Sequence, residues 1–298
     1  MTTTIDPEFG APGSPALPTS TTDRVAARDG TELVVRRWPA EGEPWASVLL
    51  VHGLAEHSGR YEHVGRQLAD AGLDVEAYDQ RGFGASDGRR AFIERWSVNH
   101  DDLEDRLASV RAGVTSGCPV VLFGHSLGAL IALGYVVTEP ARPLPDALVL
   151  SAPAIDSTIP AWKQALARIL GRIAPTGSLK NELDGAILSR DPTVGERYLA
   201  DPLNHHRTTF RFGAEALAEQ VRVRAALDRI RIPTLVYHGA ADRLVPTASS
   251  AVFEGRPGVV RRTWPDLRHE SHNEPEGPAV IAAAIDWIRS TVGRSGGA

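Results

Sequence analysis

A chain of 298 residues with 42% hydrophobic and 23% charged side chains is globular in composition and long enough for one large core or two small ones. The net charge of −5, with 32 Lys and Arg mixed among acids, argues against a nucleic-acid partner and a polybasic membrane patch. The one cysteine, Cys118, excludes an internal disulfide and fits a reducing compartment.

Residues 1–22, "MTTTIDPEFGAPGSPALPTSTT", are rich in Thr, Pro, Gly and Ser and lack the apolar core of a signal peptide, so a disordered leader is expected. Glu32–Trp38 reads as an antiparallel strand at the front. Val48–Val51 follows as a short apolar run of the kind buried on both faces. A helical pattern over Tyr61–Ala71 and a weaker strand over Leu73–Tyr78 come next. Ser97 is the expected N-cap of a helix that carries Leu103, Leu107 and Val110 on one face. Cys118, just before Pro119, reads as a small residue at a strand edge rather than a nucleophile. Val120–Phe123 is a strand, Leu127–Thr138 a helix ended before Pro140, and Ala147–Leu150 a strand.

From about Ser151 to Asp228 this rhythm stops. Trp162, Ala165, Leu166, Ile169, Leu170 and Ile173 make an apolar helical stripe, expected first to pack on the sheet, with contact to a lipid interface as the lesser alternative. Thr234–Tyr237 resumes the strands, and helix Pro278–Val292 closes the chain. Strand–helix alternation implies an α/β fold, a mostly parallel sheet with helices on both faces. The expected division is a core of residues 23–150 and 229–293, a helical lid of 151–228 over the C-terminal edge of the sheet, and a flexible tail of 294–298. No stretch reaches the ~18 apolar residues of a membrane span. A cytoplasmic location is expected, with peripheral membrane association as its one qualification.

Between strand and helix stands Gly124-His125-Ser126-Leu127-Gly128. Gly-x-Ser-x-Gly at such a join is a nucleophile elbow: the turn is tight, its flanking residues must lack bulk, and the serine is pushed outward on a strained backbone. The following helix aims its N-terminal amides at developing negative charge. A serine hydroxyl needs a base, and the base an orienting acid, in the chain order Ser, acid, His. Asp242, in the loop after Thr234–Tyr237, supplies the acid. Asp228 precedes that strand, and Asp266 lies almost adjacent to the histidine it would orient. His269 is the base. His272, three residues on, reads as a surface or supporting residue. The backbone N–H groups of Leu54, after His52-Gly53, and of Leu127 are the expected oxyanion donors.

These segments resemble the monoacylglycerol lipase and lysophospholipase branch of the α/β-hydrolases over nearly the whole ordered chain. "HGLAEHSGRY", "GHSLGA", "LSAPA", "HGAADRLVP" and "RHESHNEP" are similar to its oxyanion loop, elbow, lid entry, acid and base motifs. The resemblance implies a cofactor-free serine hydrolase with Ser126, Asp242 and His269 as triad. In "YLADPLNHH" it implies that Tyr198 lies near the glycerol end of the pocket. Ala55 and Leu127 stand where the family often has Gly and Met. Glu56, His57 and His125 are further substrate-contact candidates; solvation accounts equally well for the first two, and His125, inside the elbow, reads as a packing or pocket residue rather than a base.

His205-His206 has no third ligand at suitable spacing, so no metal site is expected. The segment Asp79–Ser86 lacks a dinucleotide fingerprint and reads as a loop whose Asp79 and Arg81 make structural polar contacts. The expected substrate is a single-chain lipid ester, most of all monoacylglycerol. A lysophospholipase, a broad carboxylesterase or acyltransferase, and a non-catalytic binding protein are the alternatives.

Overall fold

The short runs of Val, Leu and Ala are buried on both faces because they form the middle of one eight-stranded sheet. The computed structural model describes residues 20–115, 117–181 and 184–293. The expected tail and all but the last three residues of the expected leader therefore lie outside the described residues. Those last residues are ordered: β1 spans Thr21–Ala26 and pairs antiparallel with β2, Glu32–Trp38. The remaining strands of the sheet are β3 (Ala46–Val51), β4 (Leu73–Tyr78), β5 (Val120–His125), β6 (Ala147–Ser151), β9 (Thr234–Gly239) and β10 (Val259–Trp264). The spatial order is β1-β2-β4-β3-β5-β6-β9-β10, parallel from β4 onward. The strand β10 escapes a sequence reading because its pattern, VVRRTW, is that of a half-exposed edge.

Alternate residues of each strand feed two cores. Leu49, Val51 and Leu122 join Leu103 and Leu107 of α2 (Ser97–Gly113) and Leu130 of α3 (Leu127–Val136). Val48, Leu50 and Val121 join Val64 and Leu68 of α1 (Glu62–Asp70) and Ile281 and Ile288 of α7 (Gly277–Val292). Burying both faces of a sheet in this way is what a parallel arrangement requires. Ser97 does not cap α2. It is the first helical residue, its Oγ accepts from Arg95 Nε at 3.0 Å, and the N-cap position is taken by Trp96.

Between β6 and β9 the chain forms α4 (Ala161–Ile173), α5 (Pro192–Ala200) and α6 (Phe210–Arg224), with a small hairpin of β7 (Ser178–Lys180) and β8 (Arg207–Thr209). The apolar stripe of α4 does not pack on the sheet. Trp162 is 65% and Ile173 73% exposed, and Leu166 and Ile169 also face outward. The helix rests instead on α6 through buried Gly171, where an added Cβ would lie 2.8 Å from Ala214. Among the described residues no helix is long and apolar enough to cross a membrane.

Candidate active site

In the sheet order, β3 has β4 on one side and β5 on the other, so consecutive connections leave in opposite directions and open a crevice at the carboxyl ends of β3 and β5. Both "HGL" and the serine turn stand there. Ser126 has φ 53° and ψ −113°, a backbone conformation that costs a side-chain-bearing residue about 1–3 kcal/mol. Neighbouring geometry enforces it. A Cβ at Gly128 would lie 2.1 Å from the Val51 carbonyl oxygen, and one at Gly124 would lie 2.6 Å from that of Gly128. Strand β3, the turn and helix α3 can therefore meet only through glycine. The turn is fastened by Ser126 N–H donating to the Ser151 carbonyl at 2.9 Å, and by Ala154 and Leu130 N–H donating to the Ser126 carbonyl.

The three predicted side chains come together in a line. His269 Nε2 lies 2.9 Å from Ser126 Oγ, and its Nδ1 lies 2.7 Å from Asp242 Oδ2. Burial by itself would raise the Asp242 carboxyl. Hydrogen bonds from His238, His269 and the Val245 N–H outweigh it and hold the group well below the usual carboxylate range. Asp242 Oδ1 also accepts from Leu244 N–H at 2.8 Å. His238 has no counterpart in the sequence reading. As a lone histidine inside an apolar strand it carries no signal until the fold sets it beside Asp242.

The loop expected to supply the oxyanion donors is held as firmly. Gln80 N–H donates to His52 Nε2 at 2.9 Å, so His52 Nδ1 carries its proton and donates to the Gly53 carbonyl at 2.8 Å. Gly53 N–H donates to Glu56 Oε1 at 2.6 Å, and a Cβ on Gly53 would approach Ser126 Cβ to 3.4 Å. Neither the Leu54 nor the Leu127 N–H has an intramolecular acceptor among the described residues.

The other candidates fall around this centre. His125 is buried, its Nδ1 is 3.0 Å from Ser151 Oγ, and its ring lies 4.9 Å from that of His269. Burial, reinforced by His269, pushes it down to about 3, so it is neutral near pH 7. His272 is buried rather than superficial. It stacks on Tyr61 at 5.1 Å and meets His125 edge-on at 4.8 Å, and burial holds it well below the ordinary histidine value. Glu56 accepts from Tyr61 Oη at 2.6 Å and pairs with Arg60. Both nitrogens of His57 are used within the protein: Nδ1 accepts from Gly59 N–H and Nε2 donates to Asp201 at 2.8 Å.

Tyr198, on α5, is buried with a hydroxyl that lacks a hydrogen-bond partner. The Arg60 guanidinium sits 4.9 Å above its ring. Arg60 also grips Glu270 bidentately, at 2.7 and 2.8 Å. Burial favours the neutral Glu270 acid, but the Arg60 charge and hydrogen bonds hold it well below the usual carboxylate range. Arg60 and Glu270 escape a sequence reading because each looks like an ordinary charged residue in a polar loop. Asp79 accepts from Ser58 N–H and Oγ at 2.8 and 2.6 Å, a structural role as expected, and Arg81 pairs with Asp29 and Asp102.

A family model described as serine aminopeptidase, S33 matches residues 42–276. The chain is 37% identical over 270 residues to a monoacylglycerol lipase of Mycolicibacterium smegmatis, spanning 88% of this chain and 94% of that protein. It is 30% identical over 281 residues to the monoglyceride lipase of Homo sapiens, spanning 87% and 90% respectively. Among solved structures, the monoacylglycerol lipase of Paleococcus ferrophilus superposes with a TM-score of 0.77 at 33% identity, over 87% of this chain and 99% of that one.

Proposed function

The chain belongs to the serine aminopeptidase S33 family of α/β-hydrolases and is a carboxylic ester hydrolase; from that premise we propose that it cleaves esters of single-chain lipids, monoacylglycerol foremost, through an acyl-enzyme on Ser126. The hydrogen-bonded line Asp242–His269–Ser126 carries this reading. His269 takes the Ser126 proton as Oγ attacks the ester carbonyl, and Asp242 holds the imidazole tautomer and stabilises the cation that forms. The N–H groups of Leu54 and Leu127 receive the oxyanion. His269 then returns the proton to the leaving alcohol and activates the water that releases the acid.

The lipid part of the proposal draws on the relatives' names and on two features of residues 151–228, which we read as a lid. Tyr198 brings a buried, unpartnered hydroxyl on a ring that Arg60 covers, a polar end suited to a small alcohol. The outward stripe of α4 is assigned to transient contact with a lipid interface. A cytoplasmic location, suggested by the single cysteine, belongs to the same proposal and is read out by cell fractionation.

The test is fatty-acid release from medium- and long-chain monoacylglycerols by wild type, Ser126→Ala and His269→Ala. Release by wild type alone is expected, with His269→Ala reduced by about 10⁴-fold. Ester turnover retained by His269→Ala rejects its role as base. No release by a wild type whose Ser126 still reacts with a fluorophosphonate rejects the lipid substrate and keeps the hydrolase. Lysophospholipid and short soluble esters, run alongside, then identify the class cleaved.

A further inference from the structure

The acid of the site carries two imidazoles. His238 lies on β9, fully buried, with Nε2 2.9 Å from Asp242 Oδ2, the same oxygen that faces His269 Nδ1 at 2.7 Å. The Val245 carbonyl is also 2.9 Å from His238 Nε2. Two acceptors at one ring nitrogen require the proton to be there. On the far side, His238 Nδ1 is 3.1 Å from Ser250 Oγ, which accepts from Arg261 Nε at 3.0 Å. The charged and titratable groups around His238 are therefore Asp242 from the loop after β9, His269 across that carboxylate, and Arg261 from β10 acting through Ser250. Arg261 is itself paired with Glu254.

Packing alone does not call for a histidine here. Val236, two residues earlier on the same face of β9, is an ordinary core residue. We propose that His238 is a positioning residue for the reaction: it fixes the plane of the Asp242 carboxylate and, by sharing Oδ2, limits how much of that charge reaches His269. This rests on the triad proposed above. Without the His238 donor, Oδ2 has more charge to offer the imidazolium of His269. The imidazolium formed on His269 in turnover is then held more strongly, and the acid limb of the rate profile moves upward. The carboxylate also loses one of the contacts that hold it in plane, so the rate at the plateau falls.

The experiment is the pH profile of kcat/KM on p-nitrophenyl butyrate for wild type, His238→Leu and His238→Gln, expressed per site titrated by a fluorophosphonate. Gln places an amide donor at about the reach of Nε2, whereas Leu fills the space and donates nothing. In His238→Leu the acid limb is expected to rise by about half a pH unit and kcat to fall about tenfold, with KM within about twofold. His238→Gln is expected to restore the limb and most of kcat. An acid limb in His238→Leu at the wild-type pH overturns the proposal, as does an equal shift in the Gln and Leu variants. If His238→Leu does not fold, His238→Asn, whose amide is too short to reach Asp242, is judged by the same outcomes. A wild type that is never labelled at Ser126 rejects the triad itself, a result distinct from failure of the His238 role.

Discussion

Three histidines, linked through the ring of His125, are held to different tasks by what surrounds them. His269 faces Ser126 and Asp242, while His125 and His272 are enclosed by rings and by Ser151. Burial keeps these two neutral in the folded protein, His125 down to about 3. In the unfolded chain each titrates near the ordinary value of about 6.5. The unfolded state therefore binds protons first as the pH falls, and the stability these groups contribute is present above about pH 6.5 and drains away below it. For His125 the loss continues to about pH 3, at about 1.4 kcal/mol per pH unit. Urea unfolding of wild type and His125→Asn between pH 7.5 and 4.5 is expected to show the shallower pH dependence in the variant. Parallel curves would remove His125 from this account.

The Gly124–Gly128 turn works as an element because three backbones meet in it without side chains between them. Gly128→Ala would drive a Cβ to 2.1 Å from the Val51 carbonyl and 2.5 Å from that of His52, where β3 passes into the His52-Gly53-Leu54 loop. Backbone cannot yield there as a flexible side chain would. We expect a loss of about 3 kcal/mol or more, together with loss of fluorophosphonate labelling in whatever fraction folds. Gly113, at the end of α2, has nothing within 4 Å of an added Cβ and an ordinary φ. Gly113→Ala is therefore expected to leave activity intact and to stabilise by about 0.5–1 kcal/mol. Thermal unfolding of the pair separates glycine kept for close approach from glycine that merely ends a helix.

At the scale of the molecule, the inserted helices join the main core through Phe212 and Val223 of α6 and reach the loop after β3 through three further contacts. The His57–Asp201 pair, the His205 N–H bond to the Ala55 carbonyl and the Arg60–Tyr198 stacking all join this segment to the loop after β3. The same segment carries the exposed stripe of α4. Replacing Trp162, Ile169 and Ile173 together by Glu should leave turnover of a short soluble ester within about twofold, because exposed positions cost little stability. The same change should raise KM for long-chain monoacylglycerol presented in vesicles and abolish co-sedimentation with them. Unchanged vesicle activity would place the lipid contact elsewhere.

The sequence by itself determined the alternation of strand and helix, the serine between two glycines, and an acid and a histidine in the required order. Each of these is a local signal: period, turn chemistry, and spacing along the chain. It did not determine the cap of α2, the half-polar edge strand β10, or the direction in which the stripe of α4 faces. Those depend on what another part of the chain places beside them, as when α6 takes up the Gly171 side of α4 and leaves Trp162 in solvent. Only the tertiary structure brought Arg60 between Glu56 and Glu270, and His238 onto Asp242, across 210 residues in the one case and a single turn after a strand in the other. A buried polar group declares its purpose through its partners, and partners are a property of the folded chain.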